Sequence, residues 1–147
     1  MLVLTTQLVV LFGVGIGFVG LNVRGSWLAL ALVVMAFEVC LVCIGVALLA
    51  VCTTVMQLTA ISNLSAIVLG ALGGALVPVA TLPGWAQAIA PVTPTYWAMR
   101  GLRTTTLEAA GVGDVAAPVL VLFGFALFFA CVAAVRLSTG SPKVAWA

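Results

Sequence analysis

The sequence predicts an all-α fold: a polytopic membrane bundle of about four transmembrane helices, with two short interfacial or re-entrant helices before the last span. Three observations predict it. Of 147 residues, 65% are hydrophobic and only 5% charged, whereas a soluble domain carries roughly 25% charged residues because its surface must face water. Mean hydropathy is +1.42. Four separate stretches reach the roughly 20 apolar residues that a helix needs to cross a bilayer.

Residues 2–21 form the first stretch, with Gln7 and two threonines as its clearly polar side chains. It has no positively charged start and no small-residue cleavage site, so it reads as a span and not as a signal peptide. Residues 27–50 form the second, with Glu38 as its only charge. Residues 58–80 form the third, uncharged and closed by Pro78 and Pro83. Residues 115–136 form the fourth, uncharged until Arg136. Together they make residues 1–147 a single transmembrane domain.

The connections differ in kind. Asn22 to Ser26 and Cys52 to Gln57 are short polar turns. The stretch from Thr81 to Asp114 is too long for an idle loop, and it carries Trp85, Ile89, Tyr96, Trp97, Met99 and Leu102. Amphipathic rings of this kind belong at a membrane interface. Pro83 opens a short helix that Pro91 stops. Thr93 and Pro94 then make an N-cap and first-turn pair for a second helix ending near Gly111. Asp114 is placed to cap the last span, with Pro118 in its first turn.

Composition also excludes chemistry. There is no histidine, the commonest general base and metal ligand. The four cysteines lie in or beside apolar runs; Cys40 and Cys43 form a lone CxxC without the second pair that zinc binding needs. Five basic and three acidic residues are too few and too scattered for a nucleic-acid footprint. No glycine-rich phosphate loop is present and the only lysine is Lys143, so the chain cannot cradle ATP phosphates by that mechanism. The sequence offers no catalytic residues, no metal site and no cofactor site of its own. Basic residues are near-balanced between the two sides, so charge alone does not set orientation.

Two sets of residues merit weight. Glu38, near the middle of the second span, is costly in hydrocarbon, by roughly 2.5–3.5 kcal/mol on insertion scales. It is either a substrate-path, cation-binding or proton-coupling residue, or a protonated or hydrogen-bonded lock between helices, with Gln7, Asn63 or Ser62 as partners. Gly13 and Gly17 on the first span, and Gly70, Gly73 and Gly74 on the third, supply GxxxG spacings that let helix backbones approach closely, within the chain or between subunits.

The stretch from Gly73 to Arg103 resembles the signature region of type-2 ABC exporter permeases. A span ends in G-G-x-x-x-P at Gly73, Gly74 and Pro78. Leu82 and Pro83 follow, then Trp85 and a short helix. Next come Pro91, Pro94, Tyr96 and Trp97, with Arg100 and the Leu102–Arg103 pair before the last span. The upstream TTVMQLTAISNLSAIVLGALGG resembles the family's turn into its penultimate span. The resemblance runs from about Leu28 to Arg136 and is closest to drug-export permeases of the daunorubicin-resistance type.

That resemblance implies a mechanism. Two permease copies, identical or not, would pair in the plasma membrane, each engaging a cytoplasmic ATPase that binds ATP. A substrate such as a drug, lipid or polysaccharide would move outward. The short helices would face the outside and the C-terminus the cytoplasm. Such permeases usually have six spans, so four correspond to the C-terminal part, as in a truncated or split permease. Two other readings fit parts of the sequence: a compact proton-coupled multidrug exporter using Glu38, and a non-transporting scaffold or assembly subunit.

Overall fold

The computed structural model describes residue 6 and residues 26–107 and 111–138. The predicted first span, with Gln7, Gly13 and Gly17, lies outside the described residues, as does Lys143. In chain order the elements are α1 (Trp27–Val51), α2 (Val55–Leu72), a 3₁₀ turn (Val79–Thr81), α3 (Gly84–Ile89), a second 3₁₀ turn (Ala90–Val92), α4 (Pro94–Leu107) and α5 (Ala116–Ser138). The fold is an all-helical membrane bundle. Among the described residues, α1, α2 and α5 are the three helices long and apolar enough to cross a membrane.

α1 is apolar on every side, yet only one stripe of it carries most of the packing. Ala29, Val33, Ala36, Cys40 and Ala47 are all buried and recur three, four or seven residues apart, which places them on one helical face. Their small side chains let other helices come close. α5 packs along this stripe and α4 packs against both. Two clusters fix the register: Ala29 and Val33 with Val115, and Ala36 with Ala98 and Leu122. Residue numbers rise together in α1 and α5, so these helices run parallel. In α4 the order reverses, because Gly101 lies against Val33 while Ala98 lies against Ala36.

These contacts give α4 a depth. Ala36 lies nine residues after Trp27, about 13 Å along α1, so Ala98 sits that far inside the bundle. Pro94 lies deeper and Leu107 returns toward the end where α1 and α5 begin. The chain therefore enters through the first 3₁₀ turn and α3 and comes back out through α4.

Helix lengths make the space for this. With 25 residues α1 is about 37 Å long, and with 18 residues α2 is about 27 Å. Three residues join them, so by rise alone α2 stops about 10 Å short of the level where α1 starts. The re-entrant segment fills that shortfall.

The third span is thus corrected from 58–80 to Val55–Leu72. Its early start has a local cause. Thr54 is extended, and its Oγ1 accepts the Gln57 backbone N–H at 3.2 Å, while Gln57 Oε1 accepts from the Thr53 backbone N–H at 3.2 Å. This is a near capping box. Its early stop comes from Gly74, whose φ of +84° is left-handed backbone that side chains with a Cβ disfavour. The other two long helices fall within two residues of the predicted spans.

Candidate functional site

The signature residues converge on the end of the bundle where α1 and α5 begin. Pro78 precedes the first 3₁₀ turn, Pro83 precedes α3, Pro91 lies in the second 3₁₀ turn and Pro94 is the first residue of α4. Each proline therefore sits where a missing N–H costs little. Backbone away from the long helices at this depth must have its polar groups satisfied by protein, and the side chains do so. Gln87 Nε2 donates to the carbonyls of Leu82 at 2.8 Å and Ala80 at 3.3 Å. Trp97 Nε1 donates to the Pro91 carbonyl at 2.8 Å. Thr93 Oγ1 donates to the Ala90 carbonyl at 2.7 Å.

The link to α2 is made by a residue that sequence reasoning missed. Thr95 Oγ1 donates to the Leu69 carbonyl at 2.5 Å, a contact 26 residues apart in sequence. The same carbonyl accepts the Gly73 backbone N–H at 2.8 Å. Gly73 has no Cβ, and a Cβ there would overlap the Thr95 side chain. The first glycine of G-G-x-x-x-P thus admits Thr95, and the second turns the chain. Gly70 and Gly74 do not make a helix-packing pair, because Gly74 lies beyond the end of α2 and the nearest neighbour of a Cβ at Gly70 would be the side chain of Leu76, 3.8 Å away in the following loop.

On α4, Thr104, Thr105 and Thr106 return their hydroxyls to carbonyls three or four residues back, at 2.7–3.1 Å. This self-satisfaction lets three consecutive threonines sit in an apolar bundle. Tyr96 and Trp97 meet edge to face with centroids 5.5 Å apart, and the Arg100 guanidinium lies 5.4 Å from the Trp97 ring centroid, a cation–π arrangement. Trp85, Ile89 and Val92 are exposed, an outward apolar rim suited to lipid.

A cleft of about 570 Å³ opens beside this segment, lined by Arg100, Arg103, Thr104 and Tyr96 from α4, by Gly73 and Val79 from the turn after α2, and by Asp114, Ala117 and Pro118 at the start of α5. Asp114 does not cap α5 as the sequence suggests. Its Oδ2 accepts the Gly111 backbone N–H at 2.9 Å, closing a turn before the helix. Helical spacing alone puts Tyr96 on the face of Arg100 and Arg103, four and seven residues on; no sequence signal placed Asp114 beside them, and the folding of α4 onto α5 does.

The polar residues of the spans are not gathered into this cleft. Glu38 is 1% exposed and is engaged in a polar interaction. It lies two residues from both Ala36 and Cys40, about half a turn around α1 from the stripe that meets α4 and α5. Asn63 is exposed on α2. The CxxC pair is not a disulfide: Cys40 and Cys43 are both free thiols. Among the described residues no group of three or more His, Cys, Asp or Glu side chains is placed to hold a metal.

The family model described as ABC-2 type transporter matches residues 1–107, more than half of the 147-residue chain. That stretch takes in α1 through α4, including the whole re-entrant segment. No curated protein and no solved structure matches the chain.

Proposed function

The chain belongs to the ABC-2 type transporter family, and on that premise we propose that it is the membrane-spanning permease of an ATP-driven exporter. The observation that carries this reading is the re-entrant α3–α4 pair, held at one end of the bundle by the hydrogen bond of Thr95 to Leu69 on α2 and by the Gly101–Val33 contact with α1. Such a packed segment closes one end of a path between spans while the other end stays with the helix termini Val51, Val55 and Ser138. Energy then comes from a separate cytoplasmic ATPase subunit docked at that other end. A second permease copy, identical or related, completes the path. The three long helices described correspond in this reading to the last spans of such a permease, and its substrate is a drug, a lipid or a polysaccharide.

The test is transport by the chain with its ATPase subunit in proteoliposomes. ATP should drive substrate out of the compartment facing the ATPase, and an ATPase variant that binds but cannot hydrolyse ATP should abolish sustained efflux. Glu38→Gln should leave ATP-driven efflux intact. Efflux that needs no ATP, collapses with the proton gradient and is lost in Glu38→Gln would instead establish the proton-coupled reading.

Orientation is tested separately. Gly84 begins α3, and a side chain there would meet nothing within 4 Å. In a chain whose four cysteines are replaced, Gly84→Cys should react with a membrane-impermeant thiol reagent from outside the cell. Reaction only after the cytoplasmic side is opened would reverse the topology.

A further inference from the structure

We propose that the cleft between α4 and the start of α5 is a binding site for a phosphate-type oxyanion, held by Arg100 and Arg103. The ligand chemistry is that of a phospholipid headgroup or of a soluble phosphate. Such a site stands whether or not the chain exports a drug.

The two arginines are three residues apart on α4 and share one helical face. Both line the 570 Å³ cleft. Among the described residues neither guanidinium is in an ion pair; Arg100 has only the face of Trp97. Tyr96 also lines the cleft, and its hydroxyl forms no hydrogen bond among the described residues. Three residues with unspent side-chain donors thus line one cleft. Among the described residues Asp114 is the one acidic residue lining the cleft, and one of its oxygens is already tied to the Gly111 N–H. Counting Arg100 and Arg103 against Asp114, the described lining carries a net formal charge of +1.

Depth makes this charge consequential. The pairings of Ala98 with Ala36 and of Gly101 with Val33 put Arg100 and Arg103 about 10 Å and 6 Å along α1 from its start. α1, at about 37 Å, exceeds the roughly 30 Å hydrocarbon core by only a few ångströms at each end. The backbone of both residues therefore lies a few ångströms inside the hydrocarbon edge, within side-chain reach of the headgroup layer, at a level where a charge without a counter-ion is costly. A planar guanidinium answers that cost best by forked, charge-assisted hydrogen bonds to an oxyanion. Phosphate oxygens are what the layer offers at this level.

The test uses the full chain, purified lipid-free in maltoside detergent. One arm adds phosphatidylglycerol and counts bound lipid by native mass spectrometry. The other titrates inorganic phosphate by calorimetry. One equivalent of either probe should bind to the wild-type chain, and the arm that gives it identifies the source. Arg100→Gln with Arg103→Gln should weaken that binding roughly tenfold or more, the scale expected when hydrogen bonds to a charged group are lost. Arg136→Gln, at the far end of α5, should leave it unchanged. Failure of the wild-type chain to bind either probe would overturn the proposal. So would an equal loss in Arg136→Gln, which would mark non-specific charge attraction. Circular dichroism should show the same helix content in all three proteins; because the arginines are exposed, their replacement leaves the packed clusters intact.

Discussion

Gly73→Ala should destabilise the folded chain by about 3 kcal/mol or more, at the severe end of over-packing substitutions. The backbone at Gly73 is ordinary right-handed helix, with φ −76° and ψ −4°, so no conformational penalty contributes. The cost is contact. A Cβ would overlap Thr95 Oγ1 and Cβ, and would stand 2.7 Å from the Leu69 carbonyl oxygen. The hydroxyl cannot rotate clear without giving up its 2.5 Å hydrogen bond to that carbonyl. Shortening Thr95 to alanine does not help either, because its own Cβ is among the overlapping atoms. The start of α4 must therefore withdraw from α2, and the re-entrant segment loses its anchor. Unfolding in mixed detergent micelles, followed by loss of the slow-migrating folded form or by Trp fluorescence, measures the effect. Thr95→Ala alone should cost about 1 kcal/mol, the worth of a typical hydrogen bond. If Gly73→Ala unfolds no more readily than Thr95→Ala, the close approach described here is not what holds the segment.

This contrast also explains which parts of the fold the sequence could reveal. Hydropathy located α1 and α5 to within two residues, because both are unbroken apolar runs that end where polarity resumes. It overran α2 by eight residues, from Leu72 to position 80, because Gly73, Gly74, Ala75, Leu76 and Val77 are as apolar as the helix before them. What stops α2 is backbone geometry at Gly74 and the arrival of Thr95, and neither changes hydropathy. The proline punctuation of α3 and α4 was legible because each proline reports on its own N–H and φ. Thr54 and Gln57 carried a readable T-x-x-Q signal for the start of α2. The cleft was half legible. The spacing of Tyr96, Arg100 and Arg103 at i, i+4 and i+7 on α4 is local information, whereas Asp114 joins them only through the antiparallel seating of α4 along α5. Likewise, Glu38 stood out as a lone charge in a span, but its placement about half a turn from the α4-facing stripe depends on which side of an all-round apolar helix the others choose.

Gly101→Ala should cost about 1–3 kcal/mol, and unlike Gly73→Ala it should be rescued by a second substitution. Gly101 is buried where α4 crosses α1 and α5. A Cβ there would meet Val33 Cγ1 at 2.9 Å and Cγ2 at 3.0 Å, with Pro118 Cβ at 3.4 Å. The tight neighbours are thus two methyls of one side chain and no backbone atom. Val33 is β-branched and stiff in a helix, so it cannot turn both methyls away by changing rotamer. Val33→Ala removes them. Alone it should also destabilise, by about 1–2 kcal/mol, through lost burial and the space left behind. Combined with Gly101→Ala, the new methyl occupies that space and the clash is gone. The double variant should therefore be more stable than the sum of the single losses predicts, by roughly 1 kcal/mol or more, as residues in direct contact couple. The same micelle titration on the four proteins of the cycle gives the coupling energy. Strict additivity would mean that α4 does not lie against Val33, and the depth assigned to the re-entrant helix, which rests on this crossing and on Ala98 against Ala36, would have to be redrawn.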